Sequence, residues 1–273
     1  MSDTVRWPAG ETEPAAAPAG VARAGFELTP RHRAALAVQR TVGYLLLPLY
    51  GPLIVAALRW VMQYRFADLA SIRRQFRQIL DRERAPLVIC PNHLTMIDSA
   101  IVAWALAPWW RYLIAYRLLP WNMPERTLFA GLGVRIVCYL AKCLPIRRGG
   151  DRTLQRVVFA KAANLLRRGE LLLVFPEGRR SRTGSVDGEW AADGIGRLIK
   201  TVPGCRVLCV YVRADNQTQY SVMPKRGARF TMAMRLLDPP AVSGSGVRAN
   251  REITAAILGQ LAAMEREARG VDR

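Results

Sequence analysis

Pro91-Asn92-His93-Leu94-Thr95-Met96-Ile97-Asp98 is the stretch whose reading decides the fold. Before it runs Pro86-Leu87-Val88-Ile89-Cys90, short, apolar and β-branched, which reads as a buried strand. After it, residues 97–106 read as a helix. His93 therefore falls at the carboxyl end of a strand, where open α/β sheets bind their ligands. His93 and Asp98 are too far around a continuous helix to meet, about 140° apart. They meet only if the chain turns between them, with His93 in the loop and Asp98 in the first helical turn. A carboxylate there fixes the imidazole tautomer and leaves the other ring nitrogen as a general base. A second use of the same residues is purely local: Thr95 and Asp98 also fit an N-terminal capping pattern, with Asp98 satisfying backbone donors.

A second stretch raises the weight of the chemical reading. Phe175-Pro176-Glu177-Gly178-Arg179-Arg180-Ser181-Arg182 also ends an apolar strand, residues 171–175. Between the two lies Cys143-Leu144-Pro145-Ile146-Arg147-Arg148-Gly149-Gly150, read as a short strand ending in paired arginines.

Around these motifs the chain alternates strands with helices of crossover length. Strands are expected at residues 86–90, 111–116, 143–148, 171–175, 206–212 and 230–236. Helices are expected at 97–106, 121–140, 195–201 and 250–269, and after Asp151, whose side chain caps a helix ending at Gly169. The fold class is α/β, a largely parallel or mixed central sheet flanked by helices. No Walker loop, G-x-S-x-G elbow or complete G-x-G-x-x-G is present.

Ahead of this α/β domain, assigned to residues 84–273, the sequence divides in two. Residues 1–29, rich in Ala, Pro and Gly and lacking an apolar core, read as a disordered tail and not a signal peptide. Residues 30–83 read as a membrane-associating helical segment. Its part 41–58 is uncharged and near the minimum length for a span, but Pro48, Gly51 and Pro52 interrupt it and arginines flank both sides. That pattern favours an N-terminal helical hairpin dipping into one leaflet, with a buried core hairpin as the alternative. Residues 66–83 read as an amphipathic Arg-rich helix.

The 273 residues carry a formal net charge of +19, with lysine only at Lys142, Lys161, Lys200 and Lys225, so the excess is nearly all arginine. Such a charge favours an anionic partner, although arginine over lysine also follows from biased genome composition. No basic helix or aromatic platform suits nucleic acid, so none is expected as a partner. Five cysteines in apolar runs with no C-x-x-C pair read as reduced thiols, and with His32 and His93 the only histidines, no metal site or cofactor is expected.

Taken together, Asn92-His93…Asp98, the arginine strand end and Phe175-Pro176-Glu177-Gly178 resemble the glycerolipid acyltransferase family, over about residues 86–212. The resemblance implies His93 as catalytic base and Asp98 as its orienting residue. It implies Arg148, Glu177 and Arg180 for acceptor binding, with Gly178 allowing close backbone approach. Glu177 would hold an acceptor hydroxyl or pin an arginine; Ser181 would touch substrate or cap the local turn. The implied activity is transfer of a fatty acyl group from acyl-CoA or acyl carrier protein to a lysophospholipid, 1-acyl-sn-glycerol-3-phosphate first. Glycerol 3-phosphate, an amino-acid lipid or a polyene or glycolipid is the alternative acceptor, and a catalytically silent membrane binder the alternative class. The implied setting is an anionic membrane surface, the cytosolic face of the inner membrane, with a monotopic or re-entrant anchor. Three positions depart from the family pattern: Leu94 follows the histidine, Arg179 precedes Arg180, and Leu208-Cys209-Val210 replaces a Val-Pro segment.

Overall fold

A computed structural model describes residues 28–128, 131–147, 149–188, 193–215, 217, 221–242 and 246–270. Most of the expected tail, and Arg148, lie outside the described residues.

The sheet has six strands. In chain order they are β1 (Arg65–Phe66), β2 (Leu87–Pro91), β3 (Trp121–Asn122), β4 (Leu172–Leu173), β5 (Arg206–Ala214) and β6 (Arg229–Leu237). Their order across the sheet is β1-β6-β5-β2-β4-β3, parallel throughout except for the antiparallel β5–β6 pair. The sheet is thus mixed. β2 lies between β5 and β4, in register Leu87↔Arg206 through Pro91↔Val210 on one side and Val88↔Leu172 on the other. The two strands that carry the motifs are therefore neighbours, and the motifs leave the same edge.

Alternation along the strands feeds two cores. Val88, Cys90, Val207, Cys209 and Tyr211 face one side, where α6 (Arg152–Arg167), α7 (Asp193–Thr201) and α8 (Val247–Arg269) supply residues such as Leu166, Leu198 and Ile257. Leu87, Ile89, Leu208 and Val210 face the other, against Phe76 of α2 (Leu69–Arg82) and Ile101 and Leu106 of α3 (Asp98–Leu106). Asp151 caps α6 as expected, accepting from the Thr153 N–H at 2.7 Å. The five cysteines are free; Cys90, Cys205 and Cys209 are buried and Cys138 and Cys143 partly so.

The N-terminal segment takes a different form from the expected hairpin. α1 (Pro30–Ala56), capped by the Thr29 hydroxyl, runs through Pro48 and Pro52 and continues as a π-helical turn, Ala57–Val61. Each internal proline forfeits a helical hydrogen bond. Packing holds the axis nonetheless, because Leu36, Gln39, Gly43, Leu47 and Gly51 are buried along one side. Gly43 is one close approach: a Cβ there would collide with the Tyr116 hydroxyl. The helix Pro30–Val61 is long and apolar enough to cross a membrane, and only 22% of its most apolar stretch is buried inside the protein.

Three further expectations change. Residues 109–114 form α4 (Trp109–Ile114), followed by a 3-10 turn, Tyr116–Leu118, where the sequence predicts a strand. A strand would turn Tyr112, Ile114 and Tyr116 to one face; instead Tyr112 and Tyr116, four apart, are buried and Ile114 is exposed, the helical spacing. The expected helix 121–140 is split. Trp121–Asn122 joins the sheet as β3 through Trp121 N–H to the Leu171 carbonyl at 2.8 Å, Pro124 interrupts, and α5 (Leu132–Leu140) supplies the helix. The arginine strand reduces to two parallel bridges, Asn122↔Cys143 and Glu125↔Ile146, with Pro145 between them unable to donate.

Candidate active site

Thr95 does not cap α3, whose N-cap position is held by Ile97 with no side-chain bond, but Asp98 meets both main-chain donors and the His93 ring. It opens α3, and its Oδ2 accepts from the Leu94 and Thr95 N–H groups at 2.6 and 2.7 Å while Oδ1 accepts from the Thr95 hydroxyl. The same Oδ2 lies 3.1 Å from His93 Nδ1. Since Oδ2 can only accept, Nδ1 carries the proton and Nε2 presents its lone pair. No described residue bonds Nε2. The His93 side chain is 17% exposed and that of Asp98 6%, so the carboxylate is shielded while the imidazole meets solvent. The imidazole plane is fixed by stacking on Phe175, centroids 3.8 Å apart and planes 16° apart.

The turn that holds His93 is tied down from three sides. The Asn92 amide bridges to β5, donating to the Val212 carbonyl at 3.0 Å and accepting from its N–H at 2.8 Å. Ser221 N–H donates to the Leu94 carbonyl, and Met96 N–H to that of Val222, both at 3.1 Å. From the segment after β4, Glu177 Oε1 accepts from the His93 N–H at 2.8 Å, and Ser181 N–H donates to the His93 carbonyl at 2.8 Å.

The hydrogen bonds of Glu177 come from main-chain donors. Glu177 is buried, and its other oxygen accepts from the Asp187 N–H at 3.2 Å, so backbone donors engage both oxygens. Burial raises its pKa to about 8, against the lowering effect of those two donors; the nearby carboxylates Asp187 and Asp98 raise it further. Gly178 follows with φ of 69°, and its N–H closes the turn onto the Phe175 carbonyl at 3.1 Å. That left-handed conformation is why glycine stands there.

Arg180 is half-buried and donates to the Ser221 carbonyl at 3.3 Å, on the loop that also braces Leu94. Arg179 pairs with Asp187 at 2.9 Å. Ser181 is buried, its hydroxyl 3.2 Å from that of Thr183. Arg147, the described neighbour of Arg148, is exposed. The structure thus brings His93, Asp98, Glu177, Gly178, Arg180 and Ser181 together. Among the described residues no group of three or more His, Cys, Asp or Glu side chains is placed to hold a metal ion.

A buried aspartate thus orients the His93 imidazole, and the His93 turn is bonded to the Pro-Glu-Gly segment that follows the adjacent strand. The model of the family described as Acyltransferase matches residues 71–243, more than half of the chain and both motifs with it. The chain belongs to the acyltransferase family, that of the glycerolipid acyltransferases. The match begins within α2 and ends beyond β6, so α1 and α8 lie outside it. No curated protein matches the chain.

Three contributors to the acyltransferase site escape sequence reasoning. Phe175 is quoted with the second motif, but nothing in the spacing shows that its ring stacks on His93. Asp187 and the Ser221-Val222 segment act through backbone groups and carry no motif.

Proposed function

We propose that this acyltransferase transfers a fatty acyl group from a coenzyme A or acyl carrier protein thioester to the free hydroxyl of a lysophospholipid, 1-acyl-sn-glycerol-3-phosphate first, in phospholipid biosynthesis. The observation that carries the reading is the His93 Nδ1–Asp98 pair with Nε2 unengaged by the described residues. Nε2 takes the proton of the acceptor hydroxyl as its oxygen attacks the thioester carbonyl, and Asp98 stabilises the imidazolium so formed. Collapse of the tetrahedral intermediate expels the thiolate, which takes the proton back from His93. General-base assistance of this kind supplies about 10²- to 10⁴-fold in rate.

In this proposal Arg180 and Arg148 bind the acceptor phosphate, since a guanidinium fork suits its dianion. Gly178 lets backbone approach it, and Ser181 lines the turn. Glu177 acts as a positioning residue, holding the His93 turn to the arginine loop. The acyltransferase would sit on the cytosolic face of the inner membrane as a monotopic protein, its free thiols fitting a reducing compartment. Support for that placement is the shape of α1: buried along one side over its length, it lies against the domain instead of projecting from it, while Leu45, Leu49 and Leu53 face outward.

The test is thiol release from a long-chain acyl-CoA, and separately from an acyl carrier protein thioester, with lysophosphatidic acid or glycerol 3-phosphate as acceptor and His93→Ala as control. Acceptor-dependent release lost in the variant supports the reading. Release with glycerol 3-phosphate alone would move the assignment to that acceptor, and release unaffected by His93→Ala would end the mechanism.

A further inference from the structure

Beyond the far end of α3 the structure holds a cleft of about 250 Å³ between α2 and the α3–α4 connection. Buried Phe76 and Leu106 and half-buried Leu80 and Leu118 give it an apolar floor. Arg73 and Arg77 of α2 and Arg111 of α4 line it with positive charge, and Asp81 is the single acid among its lining residues. No described residue forms a hydrogen bond or ion pair with the Arg77 or Arg111 side chain. Arg73 donates from Nη2 to the Trp104 carbonyl at 2.9 Å, but its Nε is buried with no partner among the described residues. Burial lowers the pKa of Arg73, Tyr112 opposes that, and the Arg59 charge adds to it. Three guanidinium groups against one carboxylate leave a net positive cleft, and the orphaned buried donor of Arg73 is a cost that a bound anion relieves.

A small soluble anion would leave the apolar floor wet. The floor opens beside Trp110, half-exposed on α4, and α4 packs on α1, whose Leu49 and Leu53 are 65% and 68% exposed. Charge on the rim, an apolar floor and exposed leucines on the neighbouring helix match a molecule with an anionic head and a hydrocarbon tail.

We infer that this cleft binds an anionic phospholipid, its phosphate against Arg73, Arg77 and Arg111 and the start of an acyl chain along Phe76, Leu80 and Leu118. The cleft lies about 12 Å along the α3 axis from Asp98, at the other end of that helix. The inference does not depend on the acyl-transfer reading. The bound lipid fixes the depth and tilt of the domain at the bilayer, which a greasy helix alone does not.

The experiment uses the full chain in detergent and measures binding of dihexanoylphosphatidylglycerol as monomers, with flotation on phosphatidylcholine vesicles with and without phosphatidylglycerol. Arg77→Gln/Arg111→Gln removes two rim charges. Arg248→Gln/Arg251→Gln removes the same charge from exposed positions on α8. Leu80→Trp fills the cleft with no change of charge. The cleft pair should weaken binding of the short lipid by about a hundredfold, a decade for each charge-assisted hydrogen bond removed. The α8 pair should leave it within about twofold, and Leu80→Trp should weaken it while keeping the net charge. Equal losses from the two arginine pairs would reduce the effect to bulk charge and overturn the site. Unchanged binding by the cleft pair would do the same. Inorganic phosphate or coenzyme A displacing the lipid at equal affinity would make this a soluble-anion site and refute the lipid assignment.

Discussion

Asp98→Asn separates the chemical role of this residue from its structural one. Asparagine is isosteric, so its carbonyl can stand where Oδ2 accepts from Leu94 and Thr95, and its amide can face the Thr95 hydroxyl, which reverses its role and accepts. What is lost is charge. Three neutral donors lose charge assistance, about 2 kcal/mol of stability in total. The imidazolium that forms at His93 loses much more. With Oδ2 3.1 Å from Nδ1 in the resting protein, the charge centres lie about 4 Å apart, and at an effective dielectric constant of about 20 their attraction is about 4 kcal/mol. Every 1.4 kcal/mol is about a decade of rate, so kcat should fall about a thousandfold. The KM for acceptor should stay nearly constant, because the charge appears only after proton transfer. Thiol release followed with a chromogenic disulfide gives kcat and KM, and a thermal melt reports the fold. Asp98→Ala is the contrast: two buried N–H groups lose their acceptor and the variant should be several kcal/mol less stable. A folded Asp98→Asn variant retaining a third or more of wild-type kcat would refute the reasoning and leave Asp98 as a turn anchor alone.

Glu177 predicts a pH dependence. With its folded pKa raised to about 8, well above the unfolded value of about 4.3, the stability its neutral form permits is fully present below that unfolded value. It is lost as pH rises through about 8, a few kcal/mol in all. Thermal melts across that window should fall more steeply for the wild type than for Glu177→Gln, and parallel curves would contradict the assignment. Gly178→Ala forces a side chain into a left-handed conformation and should cost about 1–2 kcal/mol, read by denaturant unfolding, with activity falling as the His93–Ser181 hydrogen bond shifts. Lys142→Met should destabilise by about 3 kcal/mol, because Lys142 is fully buried, bonds the Tyr116 and Leu119 carbonyls and pairs with Glu170 at 2.7 Å. Since Glu170 also holds Arg40 of α1 at 2.6 Å, proteolysis between α1 and α2 should quicken in that variant, and an unchanged rate would separate the buried pair from α1.

What is legible in the sequence is legible for local reasons. A short apolar, β-branched run ahead of Asn92 reads as a buried strand, and Asp151 before a periodic apolar face as a helix cap, so β2, α6 and the place of His93 follow. The apolar alternation of Tyr112, Ile114 and Tyr116 is ambiguous because period two and period four share a pair, and tertiary packing under α1 decides for the helix. Pro48 and Pro52 signal a break in isolation, and the break is suppressed by burial of one side of α1 against residues that sequence does not place beside it. The main-chain bonds of Glu177 are not legible, since their donors come from two other segments.

The departures from the family pattern can be weighed by position. Leu94 is buried, and it engages the site through main-chain atoms: its N–H meets Asp98 and its carbonyl accepts from Ser221. Leu208, Cys209 and Val210 lie inside β5, paired with Ile89, Cys90 and Pro91, and their side chains belong to the two cores. Arg179 pairs with Asp187, the residue whose N–H braces Glu177. At none of these positions does a side-chain group bond the His93–Asp98 pair, so the base chemistry does not depend on which side chain stands there. Arg179 alone bears on the acceptor, because removing it takes a positive charge from beside Arg180. Arg179→Thr should therefore raise KM for a phosphate-bearing acceptor with little change in kcat, measured across lysophosphatidic acid and glycerol 3-phosphate. A change in kcat for both acceptors with KM constant would place Arg179 in the chemistry and contradict this assignment.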